Sequence, residues 1–330
     1  MYYLGLGGSS HDFSVCVCKD NQVYAYIEEE RLSRIKHSYY LYNKHIPMLS
    51  LNYLEQNYGL HIDDFTNIVA NNILIRRYYK DYIDPDSITF INHHLAHALS
   101  AYYPSGFDES AVLVMDGAGD FISDSHAETT SFWCGDGTDI YKITTHYGEC
   151  ISREVYYDIT IPLQNSIGGF YRVITNLLEF GLFGEGKVMG LASYGNERMY
   201  KILRKLVDYG IDGEFYCSND SYKKIIEISS SLKTFKERAN LAYALQTITE
   251  EAVINAATAL KRMTKSKNLC LAGGLMLNSV ANYKLYKRGL FDNIFIQPAA
   301  GDNGTSIGAA YYGYYHGKIN NYFNDISSIK

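Results

Sequence analysis

His93 and His97 stand four residues apart at the head of the stretch INHHLAHALSAYYPSGFDESAVLVMDGAGD, with His94 between them. A helix turns once every 3.6 residues, so an i, i+4 pair lies one above the other on a single face. Neutral imidazole is a common ligand for zinc, iron and other borderline metals. The apolar run Ser110–Met115 reads as a buried strand ending in Asp116-Gly117-Ala118-Gly119, and a carboxylate at such a tip can face the pair as a third ligand. The competing reading makes the histidines core or capping residues and Asp116 a turn former, because an H-x-x-x-H spacing alone is a short pattern. The added carboxylate favours a metal site.

Other polar turns recur at strand ends. Strand Tyr2–Gly7 runs through the turn GGSSHD into strand Phe13–Cys18, and Lys19–Gln22 turns into strand Val23–Glu28. The first turn displays backbone N–H groups and His11, and such loops can cradle an anion. Arg31, Arg34 and Lys36 follow within six residues. They read either as a solvated face or as a holder of phosphate or carboxylate. Further on, a glycine-rich turn at Gly184–Ala192 carries Glu185 and Lys187, which suits a polar ligand. Strand Asn268–Ala272 runs into Gly273-Gly274-Leu275-Met276-Leu277-Asn278, opening a helix. Two glycines there let a ligand approach the backbone, and a helix N-terminus favours phosphate or ribose oxygens. Strand Asn293–Gln297 leads to PAAGDNGT, where Asp302 is either a functional carboxylate at a strand-to-helix turn or a helix cap.

The elements that must position these residues fall into two units. Helix Met48–Tyr58, starting after Pro47, and strands Asn67–Ala70 and Ser87–Ile91 complete a first α/β unit, residues 1–105. From residue 106 the pattern recurs: strand, glycine turn at 116–120, strand Thr129–Cys134, Gly-Asp-Gly turn, strand Ile140–Tyr147. Two halves that each open with such a meander mark the ASKHA architecture of actin-like proteins, sugar kinases and heat-shock ATPases. The expected fold is therefore α/β, with similar subdomains at 1–105 and 106–330, a nucleotide cleft between them, and a last helix able to pack back on the first. Helix Asn165–Phe180 shows the 3.6 period, and Phe235–Thr264 is the longest helix, with a core stripe through Leu241, Leu245, Ile248 and Ala252. The polar stretch Tyr209–Lys233 reads as an irregular surface insertion. Ser38–Tyr42, Arg76–Tyr82 and Tyr147–Ile161 are the expected walls of the cleft.

Composition limits the possible functions. With 330 residues, 47% hydrophobic and 20% charged, the chain has room for two globular domains. The net charge of −6 and the lack of a basic stripe speak against a nucleic-acid partner. The six cysteines are scattered, and Cys16 and Cys18 share a strand face, as expected of reduced thiols in a cytoplasmic protein. The N-terminus has no signal-peptide pattern and no apolar run reaches membrane-spanning length, so a cytoplasmic location without membrane association is expected.

The segments GLGGSSHDFSVCVCKDNQVYAYIEEERLSRIKH, HHLAHALSAYY, VLVMDGAGD, GEGKVMGLASYG, LAGGLMLNSVAN and PAAGDNGTSIGAA resemble the O-carbamoyltransferase family. That family includes nodulation carbamoyltransferases and enzymes that carbamoylate antibiotics such as tobramycin and cephems. Its N-terminal domain is similar to the universal tRNA threonylcarbamoyl-transferring protein. The resemblance implies that His93, His97, Asp116 and Asp302 hold one divalent ion, Fe(II) foremost, with Zn or Mn as alternatives. It implies His11 as general base for an acceptor hydroxyl and Lys36 as a stabiliser of developing negative charge. Glu185, Gly273, Gly274 and Asn278 match nucleotide-binding positions, and Gly304 is grouped with them. The implied donor is carbamoyl adenylate, an ATP-derived nucleotide that leaves as AMP, and the acceptor is a small-molecule hydroxyl. Ser193 departs from the family, standing where a Pro is common. The family usually carries a second, YrdC-like domain that makes the adenylate, and these 330 residues leave no room for one. Adenylation is then expected from a missing C-terminal domain or a partner chain, or else the domain has changed its task. The alternative function is a nucleotide- and metal-binding subunit, inactive without an adenylating partner. An iron oxygenase, which a 2-His-carboxylate grouping alone would suggest, fits the glycine turns less well.

Overall fold

The computed structural model describes residues 1–39, 48–151 and 163–316, the side chain of Arg77 excepted. Pro47 and parts of two expected cleft walls, residues 40–42 and 152–161, lie outside the described residues. A first sheet is built from β1 (Tyr2–Gly7), β2 (Ser14–Lys19), β3 (Gln22–Glu28), β4 (Phe65–Asn71) and β5 (Ile88–Ile91), in the order β3-β2-β1-β4-β5. The first three form an antiparallel meander, and β4 and β5 add in parallel. Between β3 and β4 lie α1 (Glu29–Ser33) and α2 (Leu49–Tyr58). The buried Glu29 carboxylate accepts hydrogen bonds from the amides of Leu49 and Ser50, satisfying donors that the start of α2 leaves open.

After β5 comes α3 (His93–Tyr102), which leads into the second sheet through β6 (Glu109–Met115), β7 (His126–Asp136), β8 (Asp139–Cys150) and β9 (Leu163–Gln164). The chain then passes through α4 (Ile167–Leu177), α5 (Glu185–Ala192), α6 (Tyr200–Leu203), the ribbon β10 (Asp208–Tyr209) and β11 (Phe215–Tyr216), α7 (Asn219–Ser230) and α8 (Phe235–Thr264). It closes with β12 (Asn268–Ala272), α9 (Ser279–Arg288), β13 (Asn293–Ile296) and α10 (Thr305–His316). The second sheet runs β13-β12-β6-β7-β8-β9. Taken from β8, the order β8-β7-β6-β12-β13 repeats that of the first sheet with the same strand directions, and β9 is an addition.

α3 and α10 are packed between the sheets. α3 lies against β6 and β12, α10 against β1, β2 and β4, and the two helices touch each other. Val69, Ile91, Leu95, Leu99, Val112, Val114 and Ala309 form the apolar filling of this layer. The helix at the end of the second unit thus packs on the first sheet. On the other face of the second sheet, α4, α5 and α8 bury Phe132, Phe170, Ile174, Leu245, Ile248 and Leu260 together. Sheet faces covered in this way carry the apolar runs from which the strands are recognised.

Two local expectations need correction. The stretch Tyr209–Lys233 is not an irregular insertion: it holds β11 and α7, and Phe215, Cys217, Tyr222 and Ile225 are buried in the second core. The Ser218 side chain caps α7, and its inward face needs few apolar residues, so most of the letters remain polar. The glycines at 273–274 open only a 3-10 turn, Gly274–Leu277; α9 begins at Ser279 with Asn278 as its cap. All six cysteines are free, and Cys16 and Cys18 share a cluster with residues of α10. Among the described residues no helix is long and apolar enough to cross a membrane.

Candidate metal and transfer site

The connections that follow β6 and β13 meet the start of α3 at a single place. Asn92 caps α3 by accepting from the Leu95 amide, which fixes the helix so that His93 and His97 project from one face. Asp116 follows β6 directly, and Asp302 lies in the single turn between β13 and α10. One donor atom from each of His93, His97, Asp116 and Asp302 lies within 4.8 Å of all the others. His93 Nε2 is 3.1 Å from Asp116 Oδ2, 3.1 Å from His97 Nε2 and 3.6 Å from Asp302 Oδ1. His97 Nε2 is 3.8 Å from each of the two carboxylates. All four residues are buried.

This donor set fits a divalent cation. His93 Nδ1 donates to Asn71 Oδ1 at 3.3 Å, which leaves its Nε2 lone pair aimed inward. Asn71 is oriented in turn by donating to Gly8 O and Thr305 Oγ1. Such outer partners set the tautomer of a ligating histidine. Two imidazole nitrogens 3.1 Å apart repel unless a proton or a cation lies between them, and two carboxylates supply the compensating charge. Burial alone lowers a histidine, but the Asp116 hydrogen bond and the charges of Asp302 and Asp116 reverse this and push His93 up to about 9. Burial likewise favours a protonated Asp302, yet contact with His97 and the charges of His93 and His11 hold its carboxyl well below the usual range.

His94, the residue between the pair, faces elsewhere. Its Nδ1 is 2.9 Å from Ser131 Oγ, its Nε2 has no partner among the described residues, and burial foremost lowers it to about 3. It is a neutral core histidine packed against Gly119.

His11 is at the rim of the cluster, with Nε2 3.9 Å from Asp302 Oδ2. Its Nδ1 donates to Asp12 Oδ2 at 2.9 Å, and His37 Nδ1 donates to Asp12 Oδ1 at 2.8 Å. One carboxylate therefore fixes two imidazoles, leaving His11 Nε2 directed at the site. Burial lowers His11, but its Asp12 bond and the Asp302 charge outweigh that and raise it overall. Lys36, next to His37, is exposed and makes no side-chain hydrogen bond or ion pair among the described residues.

The nucleotide candidates separate into two groups. Gly274 N donates to Asp116 Oδ1 at 3.1 Å, so the β12 turn is tied directly to the cluster. Gly273 has φ +97 and rests on the Met115 backbone: the close approach there is made by the chain itself. Asn278 Oδ1 caps α9, its Nδ2 donates to Gln246 Oε1, and Gln246 also meets Tyr171. Gly304 is buried in the Asp302 turn. Glu185 begins α5 and is half-buried, while Lys187 is exposed. Neither has a bond to the cluster. Sequence reasoning missed Asn71, Asp12 and His37. Asn71 had a visible signal, a polar residue ending the apolar run of β4, but only the parallel pairing of β4 with β5 brings it to His93.

The chain is 32% identical over 337 residues to the nodulation protein NolNO of Sinorhizobium fredii, covering 91% of this chain and 46% of that protein. It spans about half the length of the curated relatives it matches. Among solved structures it is similar to HypF of T. kodakarensis, with a TM-score of 0.64 at 15% identity over 96% of this chain and 48% of the other. It is also similar to an activator of 2-hydroxyisocaproyl-CoA dehydratase from Clostridium difficile with bound ADPNP, with a TM-score of 0.54 at 14% identity over 98% and 100% of the two chains. At these identities the likeness is one of fold, and that fold is the ASKHA type. The four clustered residues all fall inside the segment that matches a family, whereas His11 and Lys36 precede it. Residues 49–311 match the carbamoyltransferase N-terminus, and the chain belongs to that carbamoyltransferase family.

Proposed function

We propose that this chain carries out the transfer half of an O-carbamoyltransferase reaction, moving a carbamoyl group from carbamoyl adenylate to a hydroxyl of a small-molecule acceptor. In the balanced step the acceptor oxygen forms a bond to the carbamoyl carbon, the bond from that carbon to the phosphate oxygen breaks, AMP leaves, and the hydroxyl proton passes to a base. The observation that carries the reading is the convergence of His93, His97, Asp116 and Asp302, with His11 Nε2 at its edge. His93, His97, Asp116 and Asp302 would hold a divalent first-row ion, Fe(II), Zn or Mn, which supplies Lewis acidity toward a carbonyl or phosphate oxygen when bound.

His11 Nδ1 is committed to Asp12, so Nε2 is the atom available to take the hydroxyl proton. The Gly274 amide and the β12 turn lie where a nucleotide would reach the cluster, outside the carboxyl ends of parallel strands. The bound nucleotide of the dehydratase activator, which shares the fold, supports placing one in this cleft. Asn278 and Gly304 border the same turns, while Glu185 and Lys36 enter the proposed set by resemblance alone. The adenylate itself would be made elsewhere, by another segment or by a partner chain.

The test supplies synthetic carbamoyl adenylate and a panel of polyol acceptors to the purified chain with divalent metal. Carbamoylated product is expected, with kcat falling about 10²–10⁴-fold in His11→Ala, as removal of a general base does. Tight donor binding without product from any acceptor would favour a binding subunit that acts only with its adenylating partner.

A further inference from the structure

Among the described residues Arg172 is a cation without a counterion, close enough to act on His11. It lies on α4, whose cap, Ser166, donates to Gly117 O at 2.9 Å. Gly168 rests on the backbone of Asp116 and Gly117; a Cβ there would fall 2.8 Å from Gly117 Cα. Arg172 is four residues further on, hence on the helix face that meets the β6 turn. Its guanidinium carbon is 5.9 Å from the ring centre of Phe183, and its charge is felt at His11. Among the described residues its buried Nε has no hydrogen-bond partner and the guanidinium pairs with no carboxylate. Phe183 in turn stacks on His37 at 4.0 Å and meets His11 edge-on at 4.9 Å, while holding φ +61. An aromatic ring thus joins the His11 loop of the first unit to Arg172 of the second.

A guanidinium with an unused, desolvated N–H beside a general-base candidate is suited to a planar or tetrahedral oxyanion. We propose that Arg172 is an oxyanion-binding residue of the cleft, positioned by α4 and Phe183 to receive a phosphate-type group of a substrate. The group belongs either to the phosphate of the adenylate donor or to an anionic acceptor. Only the first source rests on the proposed donor; the existence of the site does not.

The test titrates inorganic phosphate, AMP and adenosine into the wild-type chain, Arg172→Gln and Arg172→Lys, all with the same divalent cation. Metal content and thermal midpoint serve as controls for folding. Loss of one charge-assisted fork is expected to weaken binding about tenfold or more, with partial recovery in Arg172→Lys, which keeps charge but not the fork. If AMP loses its advantage over adenosine in Arg172→Gln, the anion is the donor phosphate. If only inorganic phosphate weakens, and it binds alongside AMP, the anion belongs to the acceptor. Failure of the wild type to bind either AMP or adenosine would remove the nucleotide reading, and the phosphate titration would still decide the role of Arg172. The proposal is overturned if Arg172→Gln leaves both the phosphate affinity and the AMP advantage unchanged, or if the wild type binds neither phosphate nor AMP.

Discussion

At the scale of single residues, a proton and the proposed metal would compete for the same atoms. His93 is pushed up to about 9 from an ordinary 6.5, so in the metal-free chain its charged pair with Asp116 is fully stabilising below pH 6.5 and is lost as pH rises through about 9. Asp116 and Asp302 are depressed, so their contribution is present above the ordinary carboxylate range and is lost as pH falls through their lowered values. A ligating histidine must give up its proton. Metal affinity, measured by competition with a chelator, should therefore increase between pH 6.5 and 9, with proton release on binding; a flat profile over that window would oppose the assignment. The bond from His93 Nδ1 to Asn71 favours the tautomer that the proposed ligation would need. Asn71→Ala is expected to weaken metal binding about 10–100-fold while leaving His94, on the other side of α3, undisturbed. Equal affinity in the variant would show that Asn71 does not orient the ligand.

At the scale of elements, the site depends on how closely α3 and α10 approach. Gly308 is at their crossing, and a Cβ there would fall 1.8 Å from Ala96 O, one residue before His97. Asp302 opens the 3-10 turn Asp302–Gly304 that runs directly into α10. Gly308→Ala must therefore move α10 away from α3, destabilising the fold by about 1–3 kcal/mol as overpacking does, and drawing Asp302 away from the histidines. Thermal unfolding and metal titration should shift together in this variant. A loss of stability with metal affinity intact would mean that the crossing does not set the site. The glycine-to-backbone contact is invisible in the letters GTSIGAA, which show only a small-residue helix.

For the molecule as a whole, much was legible because chemistry and topology repeat at regular places. Both meanders and the strand ends bearing Asp116 and Asp302 follow from apolar runs stopped by polar or glycine turns, and α8 follows from its helical apolar stripe. The i, i+4 spacing placed His93 and His97 on one face, and the structure brings them to Asp116 and Asp302. What the letters hid depends on long-range packing. Asn71 reaches His93 through the pairing of β4 with β5, and Asp12 joins His11 to His37 across a loop. α7 was concealed because a helix on the outside of a core shows mainly its polar face. Lys36, assigned a role by resemblance, is exposed, and only the fold could show that.

The central claim is that four residues distant in sequence hold one divalent ion. Its most direct measurement is metal stoichiometry and affinity in the chelated chain reloaded anaerobically with Fe(II), and separately with Zn, for the wild type, His97→Ala and Asp302→Ala. About one ion per chain is expected in the wild type, with binding lost or greatly weakened in both variants. Undiminished stoichiometry and affinity in the two variants would contradict it.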